Sequence, residues 1–243
     1  SVKGYYYSQS KTFFFKDSVH VVDPKYELFS DTLEFRTLES SAHFHGPTTI
    51  IFDSSQVFCQ KGVYYSKEDR VRLWNGATLV QKGRTFYADS LNYNQKTDLG
   101  EGFCHVMLYD STENVKFFAD YMLKHPKNTA VILKDGARIY NYTETDTLYL
   151  AGDTISYYQD TLTNQQKTII ENNVAIIKGD LFIRCDSAYF SEKDSIFKLH
   201  KEPIMWNTTS QLTADSMLTR YYDNTFHDMK MYHNAMIVSE HEG

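Results

Sequence analysis

Phe86-Tyr87-Ala88-Asp89-Ser90-Leu91-Asn92-Tyr93 decides how this chain is read, because versions of the stretch recur from one end to the other. With the acid as position zero, the equivalent positions are Asp31, Gln60, Asp89, Asp120, Asp153, Asp186 and Asp215, in steps of 29, 29, 31, 33, 33 and 29 residues. The residue before each is small: Ser30, Cys59, Ala88, Ala119, Gly152, Cys185 and Ala214. Three residues before each stands an apolar one: Leu28, Val57, Phe86, Phe117, Leu150, Ile183 and Leu212. Two residues after, the series is apolar apart from Gly62. A fixed period with two constant columns is the signature of a repeat protein.

A second element lies between the copies. It is a pair of turn-prone residues running into an apolar stretch, as in Asp17-Ser18-Val19, Gly46-Pro47, Asn75-Gly76-Ala77 and Asp135-Gly136-Ala137. It continues as Asn172-Asn173-Val174, Glu202-Pro203-Ile204 and Asn234-Ala235-Met236, with Gly100-Glu101-Gly102-Phe103 as a looser version. Each unit therefore reads as strand, turn, strand, turn. Further turns are expected at residues 125–128 and 223–224.

The local pattern is that of strands. Apolar and polar residues alternate with period two, as in Leu181, Ile183 and Cys185 against Phe182, Arg184 and Asp186. No capped stripe of period 3.6 appears. The 19 Tyr and 16 Phe, against 4 Pro and 11 Gly, favour sheet over disorder. In copies such as residues 85–93 both faces carry large apolar groups, and such a strand must be covered twice or meet an apolar ligand. The face carrying the small column, at Phe86, Ala88 and Ile183, is expected to point inward.

Composition excludes several classes. The net charge is -6 and the basic residues are scattered, so no nucleic-acid footprint is present. No apolar run approaches the ~20 residues of a membrane-spanning helix, and no basic-then-apolar leader stands at Ser1. The chain opens and closes inside a repeat, which leads us to expect a piece of something longer. Cys59, Cys104 and Cys185 lack metal-ligand spacing, and two of them fill the small column, so they read as small core residues.

The candidate sites follow from the repeat. The acids Asp31, Asp89, Asp120, Asp153, Asp186 and Asp215 are expected to be architectural, accepting hydrogen bonds from backbone N–H groups freed at a bend. Seven tandem copies do not make the one preorganised constellation that catalysis needs. The departure at Gly62 is expected to mark a bulge. His43-x-His45 puts two imidazoles on one strand face, half of a metal site with no third ligand by spacing. Asn141-Tyr-Thr143 and Asn207-Thr-Thr209 match the glycosylation pattern. No nucleophile elbow, phosphate loop or HExxH sequence appears, and no cofactor or metal is expected.

The Ala88-Asp89-Ser90-Leu91-x-Tyr93 and Cys185-Asp186-Ser187-Ala188-Tyr189-Phe190 motifs carry a family resemblance. So do Glu101-Gly102-Phe103 and Lys201-Glu202-Pro203-Ile204-Met205-Trp206-Asn207. The chain resembles OstA-like proteins, related to the lipopolysaccharide-transport protein LptA and the periplasmic domain of LptD, over essentially its whole length. The resemblance implies an all-β, elongated β-jellyroll, a V-shaped stack of antiparallel strands spanning residues 1–243 as one domain. It also implies a non-enzymatic role in the periplasm, carrying lipopolysaccharide acyl chains. The partners implied are lipopolysaccharide or another acylated glycolipid, and homologous jellyrolls of a transport bridge. Uncapped terminal strands add an expectation of end-to-end self-association.

On that reading the lipid-facing wall is formed by Leu28, Val57, Phe86, Ala88, Phe117, Leu150, Ile183 and Leu212. The residues alone fit a filled solenoid core equally well. Two rivals are a scaffold without lipid cargo and a parallel β-helix enzyme acting on polysaccharide.

Overall fold

The computed structural model describes residues 1–24, 26–52, 54–97, 99–125, 130–143, 146–159, 163, 165–191, 193–222 and 225–240. Its regular structure is strand throughout, with no helix among the described residues. The turns expected at 126–128 and 223–224 lie outside the described residues. The chain forms two compact units, Ser1–Thr112 with Tyr121–Lys124, and Glu113–Asp120 with His125–Gly243.

The first unit contains β1 (Lys3–Tyr7), β2 (Thr12–Asp23), β3 (Tyr26–Arg36), β4 (Ser41–Phe52), β5 (Ser55–Tyr65), β6 (Arg70–Gln81), β7 (Arg84–Asn94) and β8 (Leu99–Asp110). Each pairs antiparallel with the next. Next comes β9 (Val115–His125), whose residues divide between the units. The second unit holds β10 (Ala130–Tyr142), β11 (Thr147–Gln159), β12 (Gln166–Lys178), β13 (Leu181–Ser191), β14 (Ile196–His200) and β15 (Ile204–Trp206). It ends with β16 (Ser210–Thr213), β17 (Ser216–Tyr222), β18 (Thr225–Tyr232) and β19 (Met236–Ser239). Its pairings are antiparallel too, with β14 and β15 both lying along β13. A parallel β-helix is therefore not the fold.

The acid positions and the turn-like pairs meet at one place in each strand pair. Asp31 faces Asp17-Ser18 on one side and Gly46-Pro47 on the other, where both registers shift. Asp89 lies opposite Asn75-Gly76, and Asp186 opposite Asn172-Asn173. The pairs are thus bulges inside long strands, whereas the sequence reading placed a turn between strands. Their backbone explains the residue choice. Asp17 and Ser18 have φ of 63° and 56°, Asn75 and Gly76 63° and 86°, and Asn172 and Asn173 58° and 54°. Asn, Asp and Gly tolerate this left-handed region.

At this corner each strand turns, so that one half of a unit's sheet lies against the other. We call the half before the acids the first limb and the half after them the second. In the first unit both limbs contribute to one core, Leu28 and Ile50 from the first packing with Leu33, Phe44, Leu73 and Leu91 from the second. The bulge exchanges the faces: the small residue before the acid and the apolar residue two after it both point inward, as with Ser30 and Leu33. A strict period of two across the corner would have put them on opposite faces.

Candidate functional site

The apolar column of the sequence becomes one cross-strand row on the inner face of the first limb. In the first unit the row runs Leu28, Ile50, Val57, Leu79, Phe86 and Leu108, each in register with the next. In the second it runs Ile139, Leu150, Ile176, Ile183, Met205 and Leu212. Every other member, from Ile50 to Met205, sits on a strand between the acid copies, and the repeat did not point to it. The signal was there in part, in the apolar residue four after the first member of the pair, as at Ile50 after Gly46, Leu79 after Asn75 and Ile176 after Asn172.

The residues expected to form the wall are thus placed by the structure as follows. Leu28 and Ile183 are 4% exposed, Phe117 8% and Ala88 0%. Val57, Phe86, Leu150 and Leu212 are half-buried. The face carrying the small column does point inward. A second inner row, on the second limb, consists of Leu33, Phe44, Gly62, Leu73, Leu91 and Gly102 in the first unit. Its counterpart is Leu133, Ile155, Ile170, Ala188, Leu199 and Met217. None of these side chains is charged. The two limbs touch beside these rows: the Phe117 and Tyr157 rings meet edge-on, 6.1 Å between centroids.

Glycine in the second row is a matter of space. A β-carbon on Gly62 would stand 2.6 Å from Leu73 Cδ2 and 3.0 Å from Phe44 Cδ2. The expected bulge at Gly62 is instead at Gln60, opposite Gly46-Pro47, as in the other copies.

The acids lie outside the corner and take hydrogen bonds from side chains, of the neighbouring pair or of their own strand, where backbone N–H donors had been expected. The Asn173 amide donates to both oxygens of Asp153 at 3.0 Å. Asn234 does the same for Asp215 at 3.0 and 3.3 Å. The Lys201 ammonium donates to Asp186 at 2.7 Å, and His105 Nδ1 stands 2.7 Å from Asp89. Asp89 also accepts from the Tyr87 hydroxyl at 3.3 Å, and Asp31 from that of Thr32 at 3.2 Å. Asp120 is exposed at its corner. The pair partnering Asp89 is Cys104-His105, with φ of 57° and 49°, and not the glycine-rich stretch just before it.

His43 and His45 stack at 6.4 Å but turn to different partners. His45 Nε2 is 3.1 Å from Glu34, and His43 Nε2 is 3.0 Å from the Ser41 hydroxyl. Burial and the nearby Arg36 hold the His43 pKa below its ordinary value. Among the described residues no group of three or more His, Cys, Asp or Glu side chains is placed to hold one ion. Asn207 is occupied by its own turn, accepting the backbone N–H of Thr209 and Ser210 at 3.0 and 2.8 Å.

The three cysteines are free thiols. Burial pushes the Cys59 thiol up to about 11, and burial with the adjacent Asp186 pushes Cys185 up to about 12. Such groups are inert at neutral pH.

In comparisons with known proteins, no protein-family model and no curated protein matches the chain.

Proposed function

We propose that the chain is a non-enzymatic, lipid-shielding β-jellyroll of the OstA-like kind. On this reading it acts in the periplasm, in lipopolysaccharide transport or outer-membrane biogenesis. The observation that supports it is the pair of inner rows, one per limb and neither carrying a charged side chain, of which the first-limb row Leu28, Ile50, Val57, Leu79, Phe86 and Leu108 is apolar through six registered strands. An acyl chain between the rows would gain ~0.8 kcal/mol per buried methylene. Similar residues at each rung make the gain nearly independent of position, so a chain can slide. Homologous jellyrolls, or second copies of this chain, would continue the stack by strand addition.

A second reading, a scaffold without cargo, is supported by the tightness of the same interior. Leu133, Ile155 and Leu199 are all 0% exposed. To admit lipid, the limbs must part.

Native mass spectrometry with lipid extraction separates the two. Protein from cells that make lipopolysaccharide should carry stoichiometric acylated glycolipid, and Leu150→Asp should lower the loading. A lipid-free protein that ignores added glycolipid would leave the scaffold.

A further inference from the structure

The outer face of the second limb in the first unit holds a concave groove of about 640 Å³ where β1, β2 and β3 run side by side. Small-molecule sites span ~300–1,000 Å³. Tyr7 stands opposite Thr12 and Thr12 opposite Arg36, while Phe14 stands opposite Glu34. Glu34 and Arg36 alternate with the buried Leu33 and half-buried Phe35, so this set faces outward. Thr12 is nevertheless only 8% exposed, covered by the side chains that rise around it. The Tyr7 ring, 54% exposed, stands at the rim.

The lining selects the occupant. Its charges cancel, Lys16 and Arg36 against Glu34 and Glu39. Around it Lys3 pairs with Asp17 at 3.5 Å, and Lys11 and Asp31 add one charge of each sign. An ion of either sign therefore gains little. The charges are also engaged with one another: Arg36 Nε donates to Glu34 at 2.8 Å, Arg36 Nη1 lies 3.5 Å from Glu39, and His45 Nε2 lies 3.1 Å from Glu34. A zwitterion such as a peptide end would have to break these pairs. Hydrocarbon would strip water from the ions and from the Tyr7, Ser10 and Thr12 hydroxyls without replacing it. What is left over is a mixture of N–H donors and oxygen lone pairs beside an aromatic ring. An uncharged molecule rich in hydroxyls, each both donor and acceptor, and with a C–H face for the ring, matches that mixture.

The same two rows continue across the sheet. From Glu34 one runs through His43, Val63, Arg72 and Asn92 to Glu101, and from Arg36 the other runs through Ser41, Tyr65 and Arg70 to Asn94. Val63 and Ser41 apart, every member ends in a planar polar group. The forked heads of Arg, Asn and Glu set two hydrogen-bonding atoms side by side, at the spacing of neighbouring ring hydroxyls. Both signs of charge occur along the strip, with Arg70 paired to Glu68 at 2.8 Å.

We propose that the groove binds a neutral sugar, one ring seated against Tyr7 between Arg36 and Lys16, with further units of a saccharide lying over the strip. The groove is outside the sheet and independent of any lipid held within it.

Saturation-transfer NMR on the full chain tests this, with methyl glucoside, maltotriose, and octyl glucoside below its micelle concentration. Transfer to the sugar protons of all three is expected, strongest for the trisaccharide, and the first two show that the sugar suffices without a lipid tail. Tyr7→Ala with Glu39→Ala, both exposed, should weaken binding by about tenfold with circular dichroism unchanged. Arg36→Lys, which keeps the charge and loses the fork, should weaken it as well. Absence of transfer to any sugar would overturn the proposal. So would transfer confined to the octyl protons, binding that survives both variants, or tighter binding of glucose 6-phosphate than of glucose.

Discussion

A β-carbon placed on Gly102 would stand 2.6 Å from Cζ of Phe86, although the two residues lie on different limbs. The Phe86 ring crosses the interior and rests on the bare backbone of β8, with Val106 only 3.2 Å from the same point. Gly102 is therefore fixed by what it faces. Gly102→Ala should destabilise the first unit by about 1–3 kcal/mol, the usual cost of an extra methyl group in a packed core. Phe86→Leu, which removes Cζ, should recover part of that loss in the double variant. Urea denaturation of the two single variants and the double one checks both.

The corner acids make a separable contribution. Asp153 and Asn173 are both exposed, yet the amide donates to both carboxylate oxygens. Asp153→Ala and Asn173→Ala should each cost about 0.5–1.5 kcal/mol, and the double variant little more than either alone. Equal losses that simply add would show that the two side chains act independently.

Thiol chemistry should follow burial. Cys104 is exposed, Cys59 is buried and Cys185 is half-buried. The nucleophile is the thiolate, and the raised values of Cys59 and Cys185 keep them protonated at pH 8. One thiol should react quickly with a disulfide reagent in the native protein, and three after unfolding.

The same groups set an alkaline limit. Burial, with help from the Asp69 carboxylate that its hydroxyl donates to, pushes the Tyr64 pKa up to about 12. The Cys59 thiol rises from 9.0 to about 11. All three groups are harder to ionise folded than unfolded. Their contribution is fully present below about pH 9, and is lost as pH rises towards 12. Thermal midpoints should fall over that interval, and Cys59→Ala with Cys185→Ala should soften the early part of the fall.

How far the sequence led can be seen residue by residue. Leu28, Phe86 and Ile183 were legible as inward because their spacing from an acid never changes. Asp89 and Asp186 were legible as one repeated column for the same reason, though the donors they recruit were not. Ile50, Leu79 and Met205 complete the inner rows from strands whose corners lack a constant residue. Asn75-Gly76 advertises a left-handed pair, and Cys104-His105 and Lys201-Glu202 do not. All of them hold positive φ. The sheet imposes that conformation on ordinary residues at a cost of order 1–3 kcal/mol each, and local preference cannot announce what tertiary structure enforces. Phe182 and Trp206 were legible as strand residues. That their face remains uncovered depends on which side each limb closes over, and alternation alone does not say.

The left-handed pairs have a consequence for how such a chain can change length. A strand with a single acid at its corner fits only beside a strand with two residues there, and the kinds alternate through both units. Inserting one strand would seat two corners of the same kind together and leave both without a match. Inserting two restores the alternation. Growth or loss is thus quantised in strand doublets of 29–33 residues, the spacing of the acids. The corner acts as a parity check on every duplication or deletion.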